Sequence, residues 1–278
     1  MRCKWNLTIV SLCLLGTWIA PSFASDITEK GRDVFNKARL AVVTIEVVVK
    51  ASGPGGRSGE SKQDITGTVV DPSGLTVVAL SACDPAEMYR RVSQEYKVQT
   101  EVSDIKMLLD DGTELPAEIV LRDNDLDLAF LRPKTKPASP MTAVDLSKSG
   151  PAQVLDEVVT LNRLNKAASR AYAASIEHIA AVIQKPRTFY IPDATMSATS
   201  LGCPAFLPDG RILGVFVIRA VSSEGEGTSN YRQNLTSIIL PAEDILKGAK
   251  QAPDVKPDSE KKEEPKDSKE KSDGADKK

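Results

Sequence analysis

The side chains that could attack a substrate in this chain are Ser81, Ser200 and Cys203, each in a short segment between strand-like runs. A hydroxyl is a poor nucleophile until a neighbouring base removes its proton, and in acyl transfer that base is usually an imidazole, which later protonates the leaving group. The sequence holds one histidine, His178. It lies on an alternating run far along the chain from Ser81 and is read as a structural or surface residue rather than a base. No lysine is close in sequence to either serine to take its place, and Cys203 has no nearby imidazole to lower its pKa. The cysteine spacing and a single histidine make no metal-binding set, and no cofactor is expected.

The segments that would position these residues read as short strands. Apolar or alternating runs occupy 41–49, 68–70, 75–80, 105–109, 117–121 and 126–131, then 157–161, 174–183, 188–191, 205–207, 212–218 and 237–240. Between them stand turn signals. Asp71-Pro72-Ser73-Gly74 puts proline and glycine where a type I turn prefers them, and Asp111-Gly112 and Pro208-Asp209-Gly210 mark two further hairpins. Asp26 to Glu29 resembles a capping box opening a short helix to about Ala38, and a second short helix is expected from Pro241 to about Lys247. The Gly- and Ser-rich stretch 52–61 reads as a flexible surface loop. Many short strands at regular spacing argue for a sandwich or barrel, and barrel closure best removes exposed edges.

The two ends differ from this middle. Residues 1–24 carry Arg2 and Lys4, an apolar run from Leu7 to Ala20 and then Ser22-Phe23-Ala24, the pattern of a secretory signal cut after Ala24. An uncleaved membrane anchor would need ~20 apolar residues, more than this run supplies. From 251 to 278 the chain is mostly Lys, Glu, Asp, Ser and Pro without an aromatic residue, which cannot bury enough surface to offset the entropy of ordering, so a disordered charged tail is expected. The net charge of −2, with both signs interspersed, excludes a nucleic-acid binder and steering to anionic lipid. Export leaves Cys83 and Cys203 in a compartment where a disulfide persists.

The order of landmarks resembles the peptidase domain of the HtrA/Deg family, export-compartment serine peptidases of trypsin-like fold. Thr66-Gly67-Thr68 followed by Pro72 to Leu75 is similar to the strand and turn that lead to that family's catalytic histidine. The run from Asp110 through Asp127-Leu128-Ala129 is similar to the region of the catalytic aspartate. Asp193-Ala194, with Gly202, Pro204, Asp209-Gly210 and Gly214, is similar to the nucleophile loop and its following hairpin. The resemblance implies an all-β fold of two six-stranded barrels over 35–250, the first at about 35–140 and the second at about 141–250, with short terminal helices and a lead-in at 25–34.

Carried over residue by residue, the family's aspartate falls on Asp127, its histidine on Ser81 and its nucleophile on Leu201, and its oxyanion donors fall on Thr199 and Leu201. Leucine cannot attack a carbonyl, Ser81 cannot act as the imidazole, and in a serine peptidase loss of either group costs on the order of a millionfold in turnover. Asp127, with no histidine to orient, is expected to take backbone amides. The expectation is therefore an exported pseudo-peptidase, periplasmic or extracellular, acting as a binding or structural module. The alternative is an active endopeptidase with a different catalytic arrangement. Extended peptide segments or an envelope protein are the expected partners, pairing with the strand at Val215, Phe216 and Val217. The PDZ domain that usually follows in this family is not expected behind Lys250. Since the parent architecture brings the histidine and nucleophile loops together, Cys83 and Cys203 would form an inter-barrel disulfide or stay as two buried thiols.

Overall fold

Three turns legible in the sequence close in one way. In the computed structural model, Gly74 N–H donates to Asp71 O at 2.9 Å, Gly112 N–H to Leu109 O at 3.3 Å and Gly210 N–H to Leu207 O at 2.9 Å. An aspartate side chain helps at each, accepting from the N–H two residues on: Asp71 from Ser73, Asp111 from Thr113, Asp209 from Arg211. The glycines take φ of +97°, +85° and +87°, a region that L side chains rarely enter. Each turn thus reverses the chain between strands whose alternation fixes which face turns inward.

The structure describes residues 26–53, 58–86, 99–193, 200–220 and 235–254. The expected signal segment, Thr199 and most of the expected tail lie outside them. A first closed barrel is built from β1 (Val42–Ser52), β2 (Ser58–Val69), β3 (Thr76–Ala79), β4 (Gln99–Leu108), β5 (Glu114–Asp123) and β6 (Leu128–Pro133), in the order β1-β2-β3-β6-β5-β4. A second is built from β7 (Glu157–Arg163), β8 (Tyr172–Ile183), β9 (Phe189–Pro192), β10 (Pro204–Phe206), β11 (Ile212–Ala220) and β12 (Leu235–Pro241), in the order β10-β11-β12-β9-β8-β7. The helices are α1 (Asp26–Ala38), the single turn α2 (Leu80–Cys83) and α3 (Ala242–Ala249). The all-β expectation of two six-stranded barrels with short terminal helices is what the chain adopts. No helix among the described residues is long and apolar enough to cross a membrane.

Two local expectations fail for physical reasons. Of the stretch expected as a flexible loop from 52 to 61, residues 54–57 lie outside the described ones, while Ser52 and 58–61 are ladder: Ser52 pairs with Ser58 and Lys50 with Glu60, and β4 joins the other side through Lys50↔Glu101. Backbone pairing carries a polar ribbon past the point where apolar alternation ends, so side-chain pattern does not report it. Asp26 is the first residue of α1 rather than a cap, and its carboxylate pairs with Lys30 at 2.5 Å one turn on.

A large apolar cluster runs through the first barrel into the contact between barrels, and a smaller one sits in the second. β11 joins them. Val215 and Val217 belong to the large cluster and Phe216 to the small one, as the two-residue period of a strand requires. Polar ties also cross between the barrels. Arg170 holds Asp64 through two contacts of 2.8 and 3.3 Å, and the Thr66 hydroxyl donates to Asn162 Oδ1 at 3.2 Å. The helix α3 returns to the first barrel's cluster through Ala242 and Ile245. Beyond it, Arg132 donates to Pro253 O at 2.9 Å and pairs with Asp254 at 3.2 Å.

Candidate functional site at the barrel junction

Strand pairing brings Ser81 and Asp127 together. β3 and β6 are antiparallel, with Val78 opposite Ala129 and Ala79 opposite Leu128, so the residues just past one strand meet those just before the other. Leu80 N–H donates to the Asp127 carbonyl at 2.9 Å. Ser81 N–H donates to Asp127 Oδ1 at 2.8 Å and the Ser81 hydroxyl to Oδ2 at 2.8 Å. Across the barrel junction, Ile218 N–H of β11 donates to the same Oδ2 at 2.9 Å. Asp127 is 1% exposed, so its carboxyl oxygens are satisfied by directed donors from the protein. Its φ of 58° lies in the left-handed region, where aspartate is several-fold enriched.

The loop at 200–203 is wedged between the barrels. Leu201 is buried in the large apolar cluster. Gly202 N–H donates to Phe216 O at 2.8 Å, Phe216 N–H to Cys203 O at 3.0 Å, and the Thr68 hydroxyl of β2 to Gly202 O at 2.7 Å. Gly202 has φ +86°, and a Cβ placed there would lie 2.1 Å from the Thr66 carbonyl oxygen. Only glycine fits, and nothing in the local sequence of the loop announces that contact.

A model of the trypsin-like peptidase domain matches residues 37–215, a span that takes in Ser81, Asp127 and Leu201 and most of both barrels. The chain belongs to the trypsin-like peptidase domain family. A search of curated proteins found no significant match.

Within this trypsin-like domain, Cys83 and Cys203 are both free and buried. The disulfide considered from the sequence is not formed. Cys83 packs in the large cluster and Cys203 in the smaller one of the second barrel, so adjacent loops do not make facing thiols. Burial pushes the Cys83 thiol up to about 12 and Cys203 higher still, only partly offset by a hydrogen bond with Thr66. A thiol held protonated is inert. The native trypsin-like domain is therefore expected to leave both cysteines unmodified by a maleimide, with full modification of both after denaturation; mass mapping of the two peptides reads this.

His178 stands exposed on β8, its Nδ1 3.2 Å from Asp193 Oδ2, while Asp193 Oδ1 accepts the His178 N–H at 2.9 Å. Its partner is thus Asp193 rather than Asp127. Behind Cys203 lies a half-buried acid that the sequence reading passed over. Glu177 Oε1 accepts the Ser175 hydroxyl at 2.9 Å, whereas Oε2 is buried beside the Thr160 hydroxyl without a well-formed hydrogen bond. Burial raises the Glu177 carboxyl above 4.5, against the Ser175 bond, and the nearby Asp193 charge adds to the rise. The folded state thus binds this proton more readily than the unfolded chain. The associated stability is present below pH 4.5 and lost as pH rises through the folded value. Glu177→Gln is expected to raise Tm at neutral pH and to lose that advantage in acid, as thermal melts across pH would show.

The segment expected to pair with an extended peptide is closed by its neighbours. Val215, Phe216 and Val217 are buried and already paired on both sides, by β12 and by β10 with the Gly202–Cys203 backbone. The open edge begins one residue later. Along a strand, backbone groups alternate sides. Since Phe216 faces β10, Ile218 and Ala220 face the same way past its end, and among the described residues no strand pairs there. Ile218 N–H is taken by Asp127, and among the described residues the Ile218 carbonyl and both Ala220 groups have no strand partner on this side. Beside this edge opens a cleft of about 400 Å³ lined by Asp125, Leu126, Arg187, Phe189, Arg219 and Ile238 among others.

Proposed function

We propose that this trypsin-like domain is an exported, HtrA/Deg-like pseudo-peptidase that does not cleave peptide bonds and instead holds an extended peptide along the edge of β11 at Ile218 to Ala220. The observation that carries the reading is the Ser81 hydroxyl seated on Asp127 Oδ2 while Leu201 fills the position that the resemblance gives to the nucleophile. In an active triad the aspartate orients an imidazole that takes the nucleophile's proton. Here the corresponding acceptor holds a hydroxyl and two amides, and an aliphatic side chain faces the junction. Neither cysteine substitutes, since both thiols are buried and held protonated. Strand addition is supported by the backbone of β11 beyond β10, which no described strand pairs, and by the neighbouring cleft, and is the recognition mode that an open strand edge offers.

Two measurements test this. Incubation with unfolded casein and with a fluorophosphonate probe is expected to give neither turnover nor labelling above a Leu201→Ala control; labelling clearly above that control would establish a working nucleophile and overturn the reading. Binding of fluorescent extended peptides is expected to drop when single peptide amides are N-methylated, because strand addition depends on those N–H groups. Phe216 is unsuited to probing the edge, since it is 1% exposed in the second barrel's core.

A further inference from the structure

The geometry points to a preference of this cleft for peptides that carry a carboxylate side chain, an inference that rests on the strand-addition reading above. Two arginines line it. The Arg219 guanidinium lies 4.6 Å from the centroid of the Phe189 ring, a stack that fixes its plane while leaving its N–H donors at the edge free to bond. Arg187 lines both this cleft and an adjoining one. Among the described residues neither arginine has a hydrogen-bond or ion-pair partner. The other charges nearby are engaged: Lys247 with Asp244 at 2.8 Å, Asp123 with the Leu126 N–H at 3.0 Å, and Arg122 facing Asp84 at 3.9 Å. One exposed carboxylate, Asp125, also lines the cleft and is paired with neither arginine, so the walls keep an excess of positive charge. Leu126, Phe189 and Ile238 supply apolar surface beneath it.

An occupant paired with Ile218 and Ala220 projects alternate side chains to one face of the added strand. Those nearest the arginines meet two forked donors whose geometry suits a carboxylate better than an amide or a cation. A glutamate or aspartate in that position, beside an apolar neighbour, is the complementary ligand.

The experiment uses the full chain and matched extended peptides differing only by Glu or Gln at successive positions, read by fluorescence anisotropy. At one position Glu is expected to bind about tenfold tighter than Gln, with the difference shrinking as salt is raised. Arg187→Gln and Arg219→Gln are each expected to narrow that ratio by weakening the Glu peptide more than the Gln peptide; Arg187→Gln spares the Phe189 stack and so separates charge from packing. Peptides that bind with sensitivity to N-methylation yet equally as Glu and Gln would overturn the acidic preference alone. Absence of any N-methyl-sensitive binding would overturn the strand-addition reading and this inference with it. Concentration-dependent self-association abolished by Arg219→Gln would reassign the edge to a second copy of the chain and likewise overturn it.

Discussion

Gly202→Ala is expected to destabilise the chain by roughly 3 to 5 kcal/mol, the range of large core disruptions. The new methyl would meet the Thr66 carbonyl oxygen at 2.1 Å and its carbon at 3.1 Å. That carbonyl cannot retreat, because Thr66 lies on β2 paired with Thr44 of β1, and its side chain ties to Asn162 in the second barrel. The loop cannot retreat either, since Gly202 is bonded forward to Phe216 and back to Thr68. The barrels must separate locally or the loop must leave its site, and buried hydrogen bonds break in both cases. Gly210→Ala is the control. Its φ of +87° is nearly the same, yet a Cβ there meets nothing within 4 Å, so its cost should be only the roughly 1–2 kcal/mol of left-handed backbone. Chemical denaturation of both variants separates the two; equal losses would mean that Gly202 acts through φ alone.

Asp127→Ala comes next, at about 3 to 5 kcal/mol, because it strands several buried donors at once. Ser81 N–H, the Ser81 hydroxyl and Ile218 N–H all lose their acceptor, at a place from which water is excluded. Ser81→Ala removes only one donor and leaves both amide bonds, so about 1 to 2 kcal/mol is expected. Asp127→Asn tolerates the same backbone conformation and keeps an acceptor oxygen, and should fall between them. The ordering Ala, then Asn, then Ser81→Ala, measured by urea unfolding, is the signature of an acceptor shared between barrels. A near-neutral Asp127→Ala would show that the carboxylate does not hold the junction together.

These two sites differ in how far they were visible beforehand. Asp127 was found from its place in a run of landmarks, and so was Leu201, but that the Ser81 hydroxyl would settle on Oδ2 was not. That bond needs β3 and β6 in one register, which no local pattern states. Gly202 was noticed as a loop glycine; its reason lies in a carbonyl more than a hundred residues away. The cysteines show the converse: loops that do lie side by side suggested a bridge, and the direction of each thiol into its own apolar cluster decided against it. The family resemblance points to Val215, Phe216 and Val217 as the strand for an added peptide, whereas pairing on both sides closes that segment and leaves the next without a described partner strand.

By itself the sequence determined most of the strands, the Asp- and Gly-closed turns and the supply of reactive groups: one histidine, Asp127, Ser81, Ser200 and Cys203, with an inert leucine at 201. These follow from side-chain alternation, backbone preference and side-chain chemistry, which act over a few residues. Only the tertiary structure decided what Asp127 holds, why position 202 admits no side chain, and where β11 lies open. Each of these is set by strands meeting from distant parts of the chain, and shifting such a pairing by one residue would exchange every inward side chain for an outward one.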